Sequence, residues 1–312
     1  MDYLNRAFVP AEDPENAERR TLLDGQQIII YRPSPRSKVS GLTFVITAAN
    51  LPLSKYASII SALNSADHVV VGLYINALNP LQVNKLHRMK AERIASMFHE
   101  LRDEFKVNQY DIVGHSVGGK IALLAAALYD DENLIRKILA LDPVDQTPVE
   151  FTNDSAMKQA MQKDSAKGRS NLSLSKSKAD IVITCTESGY FVSAKHNGRE
   201  IQKNNPSAKL IMHRNSCHMV YTDDGGTISW KALMGNGTSS DRNQAVKDET
   251  LQLIKERAGS KGVGMGKGVS GIKEKVMKSV NDNVSGLKEL GSDAEKQANK
   301  LKGAAMFTKF MG

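Results

Sequence analysis

A serine flanked by glycines, in the run Asp111-Ile112-Val113-Gly114-His115-Ser116-Val117-Gly118-Gly119-Lys120, is the most reactive pattern in this sequence. A β-prone apolar run ends just before it and a run of Ala and Leu begins just after it, so Ser116 is expected at the apex of a strand-to-helix turn. Such a turn leaves no room for bulk at its shoulders, which accounts for Gly114 and Gly118, and it holds the apex hydroxyl out for nucleophilic attack. At the helix start, the backbone N–H of Val117 is placed to donate to a developing oxyanion, helped by the positive helix end. His115 is expected to point away from the site and to serve the core or a supporting position.

A serine nucleophile needs a base to take its proton and an acid to orient and stabilise that base. Where this elbow is used, the chain order is Ser, then Asp or Glu, then His. The base is therefore sought among His196, His213 and His218. His218 is favoured because Ser216-Cys217-His218-Met219 falls in the loop after the last expected strand; His213 lies at that strand's end and His196 in a Lys-rich, helical stretch. For the acid, Asp142 in Leu141-Asp142-Pro143-Val144-Asp145 competes with Glu187 after the next strand and with Asp145 itself. Asp142 is favoured because Pro143 restrains the chain just past the strand end. A second oxyanion donor is expected at Ala49 or Asn50.

These side chains must be held by alternating strands and helices, and the sequence supplies that alternation. Strands are expected at Gln27–Tyr31, Gly41–Thr47, Val69–Leu73, Gln109–Val113, Lys137–Leu141, Asp180–Thr186 and Ala208–Met212. A helix with Tyr56, Ile59, Ile60 and Leu63 on its apolar face follows the second strand. Residues Val83 to Phe105 read as an amphipathic helix through Ile94, Met97, Phe98 and Leu101. Lys120–Tyr129 reads as a buried helix, and a short helix is expected around Tyr190–Ala194. The polar, Lys- and Ser-rich stretch Asn153–Ser177 reads as an insertion or lid. The fold class expected is α/β, with a mostly parallel central sheet flanked by helices.

Composition narrows the partners. The 312 residues and 41% hydrophobic content suffice for one catalytic domain, expected over residues 1–254, with an appendage over 255–312. The formal charge of +8 is concentrated from Lys255 onward, where eleven Lys and Arg257 face six acidic residues, so the domain argues against nucleic-acid binding. That appendage reads as a solvated tail or as a weakly amphipathic helix for an anionic membrane, through Val269, Ile272, Val276, Val280, Val284 and Leu287. The solvated tail is favoured. Cys185 and Cys217 are too few for a disulfide framework and suit a reducing compartment; Cys217 beside His218 is read as packing rather than as a reactive thiol. No clear secretion signal, transit peptide or membrane-length apolar run is visible, and no metal or organic cofactor is implied.

At these motifs the sequence resembles the chlorophyllase family. Gly114-His115-Ser116-Val117-Gly118-Gly119-Lys120 is similar to its nucleophile motif. Leu141-Asp142-Pro143-Val144-Asp145 resembles its acid motif, and Cys217-His218-Met219 with Asp223-Asp224 its His-Met motif. The resemblance spans Gln27 to Asp224. It implies the α/β-hydrolase fold, with Ser116 as nucleophile, Asp142 as acid and His218 as base in hydrolysing the phytyl ester of chlorophyll. Such a substrate is amphipathic and would place the protein in a plastid; otherwise a cytoplasmic setting is expected. Two departures stand out: Val117 replaces a bulkier or basic residue, and Thr47-Ala48-Ala49-Asn50 replaces a His-Gly pair near the oxyanion site. The competing expectations are a lipase or esterase for another long-chain or acyl ester, and a non-catalytic scaffold of the same fold.

Overall fold

Successive residues of Gly41–Ala49 point into two different apolar layers, as a strand buried on both faces requires. The computed structural model describes residues 17–23, 25, 27–75, 83–130, 132–144, 174–187, 197–223 and 240–259. In it, Leu42, Phe44 and Ile46 join one core cluster and Val45 the other. The elements are β1 (Ala17–Thr21), β2 (Gln27–Tyr31), β3 (Gly41–Ala49), a 3-10 turn Leu53–Tyr56, α1 (Ala57–Asn64), β4 (His68–Ile75) and α2 (Val83–Phe105). They continue as β5 (Tyr110–His115), α3 (Val117–Tyr129), β6 (Ile135–Leu141), β7 (Asp180–Thr186), α4 (Gly198–Asn204), β8 (Lys209–His213), a 3-10 turn His218–Tyr221 and α5 (Ser240–Gly259).

The strands form one eight-stranded sheet in the order β1-β2-β4-β3-β5-β6-β7-β8. β1 and β2 run antiparallel to their neighbours, and the remaining pairs from β4 to β8 are parallel. On one face α2 buries Ala91, Ile94, Met97, Phe98, Leu101 and Phe105, residues spaced three or four apart, in the cluster that also holds α3. Every residue of α3 from Gly118 to Ala126 is buried, which its small side chains permit. On the other face lie Ile59, Ile60 and Leu63 of α1 and Val246, Ile254 and Ala258 of α5. Each large apolar side chain removed from water contributes about 1.5–3 kcal/mol.

The expected strands and the helices α1, α2 and α3 are present, most extended by a few residues because ladder bonding continues past the apolar run into residues such as His68 and His115. Three features differ from expectation. β1, with the polar sequence AERRT, is an edge strand ahead of the first one expected, tied down where Arg20 and Arg32 bind Glu18 and Glu104. A short helix occurs at Gly198–Asn204; the stretch Tyr190–Ala194, where one was expected, lies outside the described residues. α5 runs through the expected boundary between residues 254 and 255 to Gly259, because Ile254 and Ala258 are buried.

The last turn of α5 has its free carbonyls bonded by donors from the sheet, one of them the Lys137 ammonium, the favourable sign for the negative end of a helix. Lys137 Nζ donates to the Arg257 carbonyl, and His68 Nε2 donates to that of Ala258 at 3.3 Å. Arg257 in turn binds Asp180 at 2.8 Å, and beside them Arg136 pairs with Asp111 at 2.6 Å. Contacts divide the chain into a unit Met1–Gly259 and a second unit Ser260–Gly312, which lies outside the described residues. Most of the expected insertion, residues 153–173, also lies outside them. Among the described residues, no helix is long and apolar enough to cross a membrane.

Candidate active site

Parallel strands deliver their carboxyl ends to one edge of the sheet, and the loops leaving that edge carry the polar groups. Ser116 follows β5 with φ 58° and ψ −120°, a left-handed conformation that a side-chain-bearing residue adopts only when its surroundings impose it. Here the surroundings are backbone. A Cβ on Gly114 would overlap the Gly118 carbonyl, and one on Gly118 would overlap the carbonyls of Ile46 and Thr47 at the end of β3. Gly119 likewise leaves room for Pro143, whose Cβ would lie 3.1 Å from an added methyl. The serine's own N–H donates to the Leu141 carbonyl at 2.9 Å, and its carbonyl accepts from the Val144 N–H at 3.1 Å. The elbow is thereby stitched to the loop after β6.

That loop carries Asp142, fully buried, with φ 43° and its N–H donated to the Thr184 carbonyl at 2.7 Å. The Thr186 N–H donates to Oδ1 at 3.3 Å, and both the Thr186 hydroxyl and His218 Nδ1 bond Oδ2, the latter at 2.8 Å. A carboxylate only accepts, so Nδ1 carries a proton, and in the neutral ring Nε2 is the nitrogen with the lone pair. His218 Nε2 is buried and has no hydrogen-bond partner among the described residues. An imidazole in this state is equipped to take a proton while Asp142 balances the charge. Asp223 anchors the loop beyond it, accepting from the Ser58 N–H at 3.0 Å, from the Ser58 hydroxyl and from Lys247 at 2.8 Å.

The other candidates are placed elsewhere or are engaged. Glu187 has an exposed side chain, and its N–H donates to the His213 carbonyl at 3.1 Å. His213 Nδ1 faces Glu249 of α5 at 3.5 Å. His196 and Asp145 lie outside the described residues. Asn50 has its N–H donated to the Ile75 carbonyl at 2.8 Å, which corrects its assignment as an oxyanion donor: strand pairing has claimed the amide. Val117 opens α3 and Ala49 closes β3, so both lie at the carboxyl edge of the sheet. Cys217 is fully buried; burial and the nearby Asp142 carboxylate push the Cys185 thiol pKa well above its usual value. No group of three or more His, Cys, Asp or Glu side chains is gathered for a metal among the described residues.

His115, expected to point away from the site and to serve the core or a supporting position, is buried against His218. Its ring lies 4.6 Å from that of His218 and its Nε2 is 3.0 Å from the His218 carbonyl. Its Nδ1 is 2.8 Å from the Tyr56 hydroxyl, which also receives the Ala48 N–H at 2.9 Å. Burial, reinforced by the neighbouring His218, lowers the His115 pKa well below 6.5. Tyr56 and His115 are 59 positions apart, and no local spacing announces their contact.

Comparison with known proteins bears on the frame that carries these groups. The model of the alpha/beta hydrolase fold family matches residues 75–188. No curated protein sequence matches the chain significantly. Among solved structures, the chain is similar to the carboxylesterase Cest-2923 from Lactobacillus plantarum WCFS1, with TM-score 0.56 and 14% identity over 79% of this chain and 99% of that one. It is similar to Est1E from Butyrivibrio proteoclasticus, with TM-score 0.53 and 13% identity over 78% and 100% of the two chains. A monoacylglycerol lipase from Paleococcus ferrophilus gives TM-score 0.52 and 10% identity over 77% and 99%. At such identities the likeness is one of fold.

Proposed function

We propose that this chain, which has the α/β-hydrolase fold, is a serine hydrolase of carboxylic esters. The observation that carries the proposal is the buried 2.8 Å bond between His218 and Asp142, set on the loops beside the strained elbow of Ser116. In the reaction, the Ser116 hydroxyl attacks the ester carbonyl as His218 Nε2 takes its proton. The Val117 and Ala49 N–H groups receive the developing oxyanion. His218 then protonates the departing alcohol, leaving an acyl-serine. Water, deprotonated by the same imidazole, releases the acid and restores Ser116.

For the substrate, we propose an acyl ester with an apolar chain, in the class named for the carboxylesterase and monoacylglycerol lipase that share the fold. A phytyl ester of chlorophyll is the second proposal, and the motif blocks around Ser116, Asp142 and His218 favour it. The basic segment beyond Gly259 would then serve as a peripheral contact with an anionic membrane. Rates on p-nitrophenyl butyrate, monoacylglycerols and chlorophyll separate the two, since a pigment-specific enzyme would be fastest on chlorophyll.

Ser116→Ala is expected to reduce hydrolysis by on the order of 10⁴-fold or more without unfolding the chain. A fluorophosphonate probe should label the wild type at Ser116 and leave the variant unlabelled. Retention of more than about a tenth of the wild-type rate by the variant would sink the assignment, since losing a nucleophile costs far more than that.

A further inference from the structure

A chain of buried hydrogen bonds crosses the catalytic edge of the sheet beneath the proposed site. It starts at the end of β3, where Ala48 donates its N–H to the Tyr56 hydroxyl at 2.9 Å. It passes from that hydroxyl to His115 Nδ1 at 2.8 Å, and from His115 Nε2 to the main-chain carbonyl of His218 at 3.0 Å. Tyr56 and His115 are each 1% exposed and His218 is 0% exposed, so no solvent competes along the path.

The direction of each proton follows from its ends. An amide N–H can only donate, so the Tyr56 oxygen accepts from Ala48 and has its own proton free for His115 Nδ1. A carbonyl oxygen can only accept, so His115 must carry its proton on Nε2. The two terminal groups therefore select one neutral tautomer of His115. They also fix the plane of its ring, which packs at 4.6 Å against His218 and at 5.4 Å against Tyr221.

We propose that Tyr56 and His115 are positioning residues for the reaction, coupling the strand end beside Ala49, the residue preceding Ser116 and the backbone of His218 through a single proton-ordered chain. The inference rests on the ester-hydrolase reading above. Its chemical content is twofold. The His218 carbonyl is latched from below, so the imidazole rotates about a fixed main chain as it moves the proton between Ser116 and the leaving group. His115, with Nδ1 already accepting a proton from Tyr56, is held neutral beside a ring that becomes cationic in each half-reaction. The titratable groups facing His115 are Tyr56, His218 and Tyr221, with the Asp142 carboxylate beyond His218.

The test uses the full chain and two independent readouts. Imidazole nitrogen–proton correlation spectra, assigned with His115→Gln and His218→Gln, report the proton on each ring whether or not an ester is turned over. His115 should be neutral and protonated at Nε2 across neutral pH. Tyr56→Phe, which keeps the buried ring, should leave the His115 proton on Nε2, where the His218 carbonyl holds it, but shift the Nδ1 resonance that loses its donor and with it the His218 resonances; unchanged spectra overturn the inference.

In steady-state hydrolysis of p-nitrophenyl butyrate, Tyr56→Phe should lower kcat by about 10-fold or more while KM changes by less than about 2-fold, as expected for misplacement of a reacting group. His115→Gln, which retains an N–H for the His218 carbonyl, should keep more of kcat than His115→Leu. Equal kcat for the Gln and Leu variants would reduce His115 to packing and overturn the inference. Absence of fluorophosphonate labelling at wild-type Ser116 removes the hydrolase reading instead, and the spectra then still decide whether Tyr56 donates to His115 Nδ1 and couples it to His218.

Discussion

At the scale of single residues, the proposal of Asp142 as the acid rests on how the carboxylates are solvated. Asp142 is withdrawn from water and compensated by Thr186 and His218, whereas Glu187 keeps an exposed carboxylate. Asp142→Asn keeps the shape while removing the charge that stabilises an imidazolium, and should lower kcat by on the order of 10⁴-fold. Glu187→Gln should leave kcat within about 2-fold, since a solvent-exposed charge is screened and acts weakly. Steady-state kinetics on the purified variants checks the ranking, and the reverse order would move the acid one strand along. The turn at Ser116 and the pairing of Asp142 with His218 were legible because a glycine pair, a proline and a fixed chain order restrict where such residues can lie. The Tyr56–His115 bond and the loss of Asn50 to strand pairing were not, since each depends on a partner distant in sequence.

Among the elements, legibility followed apolar content. Strands β3 to β7 and helices α2 and α3 bury their faces in the sheet layers and announce themselves by period. β1 is held by ion pairs of Arg20 and Arg32, and α5 buries few large side chains, so neither presents a strong pattern. The contact between α3 and β3 is the tightest consequence of the elbow, because Gly118 lies directly on the carbonyls of Ile46 and Thr47. Gly118→Ala should therefore push the two elements apart, at a cost of about 1–3 kcal/mol for an overpacked site. It should also depress kcat by separating Val117 from Ala49. Urea denaturation and esterase assays on the same preparation test both; an unchanged midpoint would mean that the backbone yields freely.

For the molecule as a whole, buried histidines tie stability to pH. His87 on α2 is 2% exposed, and burial together with Lys120 and Lys90 depresses its pKa from 6.5 to about 3. Between those values the unfolded chain binds a proton that the native state refuses. Stability therefore falls as pH drops from about 6.5 towards 3, and this penalty is absent above 6.5. His87→Leu should flatten the decline, measured as the difference between urea midpoints at neutral and mildly acidic pH. An identical decline in both proteins would assign it to other groups. The stitching of Ser116 to Leu141 and Val144, and of Asp142 to Thr184, has a further consequence for how the protein ages under heat. Such amides, bonded between the buried ends of central strands, are expected to exchange with solvent by opening of the whole domain rather than by local fraying. The proposed nucleophile and acid should then share the lifetime of the fold itself, so that loss of activity on warming coincides with unfolding.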